Sequence, residues 1–125
     1  MKRTRQGPED PDPAFLRDIV IEAKDVADFT KGMNFATFAA DRLVRKAVTK
    51  CLESIAEASK NLSPALKAGH SQIEWKRIAG FRDFSAHHNW EVDYAIVWDI
   101  VSAHLPPLLK VVEQELATKE TPTRG

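Results

Sequence analysis

The sequence predicts an all-α protein, an antiparallel bundle of four to five helices. Apolar residues recur at intervals of three and four along most of the chain, the spacing that lines one helix face. No stretch alternates with the period of two that marks a strand, and no internal repeat or glycine-rich phosphate loop is present. At 125 residues the chain suffices for one core. Helical stripes in a chain of that length are buried most simply against one another.

Asp12-Pro13 reads as the first helix start, with Asp12 as N-cap and Pro13 at the position where a missing N–H costs nothing. Leu16, Ile19, Val20, Ala23, Val26, Ala27 and Thr30 then mark one face, and Gly32 and Asn34 punctuate its end. A longer helix follows from about Phe35 to Asn61, uninterrupted by proline or glycine. Phe38, Leu43, Ala47, Val48, Leu52, Ile55, Ala56 and Ser59 are its expected inner side. Ser63-Pro64 opens a short helical turn that Gly69 closes. The next helix begins near Ile73 and carries Trp75, Ile78 and Phe81. Gly80 inside it costs about 1 kcal/mol relative to alanine, so a close backbone contact is expected there. Asp93 caps a further helix with Ile96, Val97, Ile100, Val101 and Leu105. Pro106-Pro107 should break or kink it before Leu108, Leu109, Val112 and Leu116 continue the face.

The chain divides into a flexible leader over 1–11, a helical domain over 12–117 and a flexible tail over 118–125. No apolar run approaches the ~20 residues of a membrane span, and the polar N-terminus has no signal core, so a cytoplasmic protein with no membrane partner is expected. The single cysteine, Cys51, excludes an internal disulfide and a multi-cysteine zinc site. Its helical neighbours make it a small buried thiol. Net charge is zero, which argues against a general nucleic-acid coat. The charge is nevertheless uneven: Arg42, Arg45, Lys46 and Lys50 face only Asp41 within residues 41–50. Such a patch could line an approach for RNA or face solvent.

Three stretches resemble one family in order and spacing. They are Ala47-Val48-x-Lys50-x-Leu52-Glu53-x-Ile55-Ala56-Glu57-Ala58, then Ile73-Glu74-Trp75-x-x-Ile78-x-Gly80-x-Arg82-Asp83-x-x-x-His87, then Val92-Asp93-x-x-Ile96-Val97-Trp98 with Leu105-Pro106-Pro107-Leu108-Leu109. Across roughly residues 14 to 117 the chain resembles the HepT-like ribonuclease toxins of the HEPN superfamily. The resemblance implies a HEPN-like bundle that forms a homodimer and cleaves RNA without metal or cofactor at a cleft between protomers. It also implies a partner, a minimal nucleotidyltransferase antitoxin, which in some pairs transfers AMP to a tyrosine two residues after the motif histidine. Here that position is Asn89, which has no phenol, and Asp83 stands where the family usually has asparagine.

Metal-free RNA cleavage needs a base for the ribose 2′-hydroxyl, an acid for the leaving oxygen and fixed positive charge for the transition state. His87 suits the proton transfers and Arg82 the phosphate oxygens. On a continuous helix five residues leave the two positions ~140° apart. A shared site therefore requires the helix to end between them or a symmetric copy to complete it. Asp83, His88, Asn89 and Trp90 are auxiliary or RNA-binding candidates. Asp83 could orient His87, His88 could carry a second proton, and Trp90 could stack on a base. His87 and His88 diverge and lack further ligands, so no metal site is expected. His70 and His104 read as incidental, and Tyr94 as a packing residue. The leading reading is an endoribonuclease toxin. The alternative is a non-catalytic HEPN dimer that binds a nucleotidyltransferase or nucleotide; Asp83 and Asn89 favour it, while the intact Arg82 and His87 favour the toxin.

Overall fold

The computed structural model describes residues 10–87 and 93–120, with side chains through Phe81 and again from Asp93 to Lys119. Seven α-helices and one π turn make up the described residues, without a strand among them. These are α1 (Asp12–Phe29), α2 (Phe35–Ala40), α3 (Arg42–Lys60), α4 (Pro64–Ala68), α5 (Trp75–His87), α6 (Tyr94–Asp99), the π turn (Ile100–His104) and α7 (Leu105–Glu120).

α1 presents Leu16, Ile19, Ala23 and Val26 to the core, and it packs on α3 and α7. Asp12 corrects the expected cap. It is the first residue of the helix and nine-tenths or more buried, and its carboxylate makes no cap bond on its own helix. The carboxylate accepts instead from the backbone N–H and the hydroxyl of Ser63, at 2.8 and 2.7 Å. Two acceptor bonds to the start of α4 satisfy a buried charge better than one local cap would. The Ser63 hydroxyl oxygen in turn accepts from the Leu66 N–H, capping α4. Asp10 accepts from the Asp12 N–H and from Lys119 at 2.7 Å, so both ends of the bundle meet there. After α1, Gly32 takes the left-handed backbone (φ +76°) that lets the chain reverse into α2.

The single long helix expected over 35–61 is two. Asn34 and Thr37 form a reciprocal capping box at α2, and Asp41 leaves the helical region (φ −102°, ψ 98°) to accept from the Val44 N–H at the head of α3. A short acidic side chain that satisfies orphan N–H groups competes with helix continuation at this point. The break changes which residues face inward: Val44 packs against the core, whereas Leu43 is 78% exposed. Farther along α3, Val48, Cys51, Leu52, Ile55, Ala56 and Ser59 are buried as the periodicity predicts, and the helix lies between α1 and α5.

The prolines at 106 and 107 do not end the last helix. The backbone widens to π geometry over Ile100–His104, where the Leu105 N–H bonds back to the Ile100 carbonyl, and α7 resumes through both prolines. A π turn accommodates the donors the two rings lack, so the helix resumes rather than ends. The composite helix from Tyr94 to Lys119 is 26 residues long and apolar enough by length and composition to cross a membrane, which corrects the expectation that no segment comes close. It buries Val97, Ile100, Leu105, Leu108, Val111 and Val112 inside the bundle, as a core helix does.

Candidate active site

α5 carries Arg82, Asp83 and His87 on its backbone. Their side chains, together with residues 88–92 and hence His88, Asn89 and Trp90, lie outside the described residues. What the structure fixes is the helix that holds the motif. The Trp75 indole N–H donates to the carbonyls of Lys67 and His70, at 3.2 and 3.0 Å, pinning the first residue of α5 to the end of α4. Ile78 and Phe81, about one and two turns later, are buried and set the rotation of the helix. Arg77 pairs with Asp99 at 2.9 Å, linking α5 to the end of α6.

The backbone is helical without interruption through His87, so α5 does not end between the two motif residues. At 100° and 1.5 Å per residue, positions 82 and 87 stand ~140° apart around the axis and ~7.5 Å apart along it. Beyond the motif the chain is anchored again at α6. Asp93 accepts from the Ala95 N–H at 2.9 Å, and Tyr94 packs edge-on to the buried Phe38 with ring centroids 6.4 Å apart. Phe38 also packs on Trp98 at 5.0 Å, so α2 holds the first turns of α6. Tyr94 is thus a packing residue, as expected.

Gly80 departs from expectation. A Cβ built there would meet nothing within 4 Å, so no described backbone approaches it closely. Beside it Arg77, Phe81, Ile96 and Ile100 line a shallow cleft of about 160 Å³. The basic group on α3 also divides. Arg42, Lys46 and Lys50 are exposed, but Arg45 is half-buried, with its guanidinium 4.7 Å over the Tyr94 ring and a hydrogen bond to the Ala39 carbonyl. His70 lies 2.6 Å from Glu115, tying the turn after α4 to α7, and His104 lies 3.2 Å from Asp99 within its own helix.

One cluster escaped the sequence reading. Glu22 and Asp25 on α1 meet Cys51 on α3, with ligand-type atoms within 4.8 Å of one another. Only helix packing brings them together, so spacing along the chain gives no sign of them. Burial, then the hydrogen bond to Glu22 and the charges of Glu22 and Asp25, push the Cys51 thiol up to about 12. The group is therefore a protonated, buried thiol, as expected from its neighbours.

The described residues form a helical bundle in which α5, packed on α3, carries the motif in its last two turns, the arrangement expected of a HEPN-type domain. The chain belongs to the ribonuclease HepT-like family, whose model matches residues 19–115. It is 42% identical over 101 residues to "Putative RNase MJ0127" of Methanocaldococcus jannaschii, covering 81% of this chain and 84% of that one. Identity is 35% over 102 residues to "Putative RNase TTE0752" of Caldanaerobacter subterraneus, covering 82% and 91%. It is 34% over 94 residues to "Probable ribonuclease HepT" of Thermococcus cleftensis, covering 75% and 86%. No solved structure matches the chain significantly.

Proposed function

We propose that this protein is a metal-independent endoribonuclease, the toxin of a toxin–antitoxin pair, acting at a cleft between two copies. The observation that carries the reading is the presence of Arg82 and His87 at the motif positions of a HepT-like chain whose relatives are named as ribonucleases. In the cleavage step a histidine removes the ribose 2′-hydroxyl proton and the freed oxygen attacks phosphorus. The bond to the 5′-oxygen then breaks, and a protonated histidine supplies its proton. Arginine binds the non-bridging oxygens as charge accumulates on them. One histidine cannot be base and acid at once, and two positions ~140° apart on one straight helix do not converge unaided. Two-fold pairing supplies two arginines and two histidines to one cleft.

The partner expected for such a toxin is a minimal nucleotidyltransferase, in the cytoplasm. Asn89 cannot accept AMP, and Tyr94 is engaged with Phe38 and Arg45, so neutralisation is by binding and blocking the cleft. Purified wild type, Arg82→Ala and His87→Ala, incubated with defined RNA in EDTA, test the chemistry. Loss of a proton-transferring group should slow cleavage by about 10²–10⁴-fold. Wild type that cleaves no faster than either variant would remove the catalytic reading. It would leave the non-catalytic, partner-binding dimer that Asp83 and Asn89 favour.

A further inference from the structure

We propose that Arg42, Lys46 and Lys50 form a track for the phosphates of a single RNA strand, leading toward the motif; the inference rests on the ribonuclease reading above. The three residues are spaced by four on α3, so each step rises ~6 Å and turns ~40°. They make one slanted row about 12 Å long, a step suited to successive phosphates of an extended strand. All three are exposed, and no ion pair ties any of them to a carboxylate among the described residues.

The row has a direction. At its N-terminal end, Arg45 stands ~60° around the helix from Arg42 and packs over Tyr94, the first residue of α6. That contact seats the head of α3 beside the place where the chain returns from the motif, seven residues after His87. At the other end Lys50 borders an open groove of about 360 Å³. A phosphate chain held along the row therefore runs between that groove and the head of α6. A single row also explains how a chain of zero net charge grips RNA: the positive field is local and linear.

The test uses the full chain carrying His87→Ala, so that binding is read without cleavage. Anisotropy of a short labelled single-stranded RNA is followed across a salt series for this parent, for the row variant (Arg42→Gln, Lys46→Gln, Lys50→Gln) and for a control. The control (Lys24→Gln, Lys31→Gln, Lys110→Gln) loses equal charge at exposed sites off α3. Three phosphate contacts at about 0.7 each predict that the log–log salt slope falls by about 2 in the row variant, with affinity down at least about tenfold. The control should stay within about twofold of the parent. Equal slopes in row variant and parent, an equal loss in the control, or a parent that binds no RNA each overturn the track. So does a row variant that keeps RNA affinity but loses the antitoxin, which would assign the row to a protein surface. Cleavage by wild type, measured alongside, separates the two claims. A shifted slope without cleavage sinks the ribonuclease reading alone, and cleavage with an unshifted slope sinks the track alone.

Discussion

The Asp12 carboxylate commits both oxygens to Ser63, fifty-one residues away, and removing it strands a part-buried N–H and hydroxyl. Asp12→Ala should therefore cost roughly 2–4 kcal/mol in urea unfolding, with Asp12→Asn recovering part of the loss. A cost below about 0.5 kcal/mol would show that the bonds are made equally well to water. The neighbouring pair acts more weakly and depends on pH. The hydrogen bond from Lys119, then that from the Asp12 N–H, hold the Asp10 carboxyl below its usual 3.8. The Asp10 contact likewise holds Lys119 above its usual 10.5. A depressed carboxylate stabilises the fold fully above 3.8 and ceases to as pH falls through its lowered value. A raised amine stabilises it below 10.5 and ceases to as pH rises through its raised value. The stability difference between wild type and Lys119→Met should thus be flat from about pH 5 to 9 and shrink on both sides. It should stay small, because solvent screens the pair. A difference that grows on acidification would contradict the assignment.

At the level of elements, α5 holds a glycine that no described contact requires. Alanine at position 80 gains helix propensity with nothing in its path, so Gly80→Ala should stabilise the isolated chain by up to about 1 kcal/mol. If a second copy packs there, the gain should reverse at concentrations where the protein self-associates, which dilution-dependent unfolding would read. The elements also show what the sequence discloses. Buried stripes such as Leu16, Ile19, Ala23 and Val26 are legible because periodicity and burial have one cause. The break at Asp41 is not legible in the sequence, because an aspartate inside a run of good helix formers signals a cap only when the backbone turns there. Pro106 and Pro107 mark a perturbed helix in the sequence but not its form, because widening the turn and breaking it both answer the missing donors. Arg82 and His87 are legible as a motif, whereas Arg45 beneath Tyr94 and the Glu22, Asp25 and Cys51 cluster depend on contacts between helices distant in sequence.

For the whole molecule, the question is whether one chain suffices for the proposed cleavage. α5 continues through His87, so positions 82 and 87 of one copy fall in different sectors of the helix. Mixing wild type with the Arg82→Ala, His87→Ala double variant produces hybrid dimers that hold one arginine and one histidine in place of two of each. If one cleft needs both copies, cleavage per wild-type chain should fall as the double variant is added, following the share of chains left in wild-type dimers. Unchanged cleavage per wild-type chain, with hybrids confirmed by native mass spectrometry, would place a complete site in one chain and remove the composite cleft.

The contact between Asp10 and Lys119 has a consequence for the path of the chain. The start of α1 and the end of α7 are brought to one point, so a bridge of a few residues could join them into a ring without strain. A ring can be opened anywhere exposed, for example at Gly69 after α4, without separating any helix from its packing partners. The order in which the helices are synthesised is then a matter of history, and their arrangement around α3 is what defines the protein.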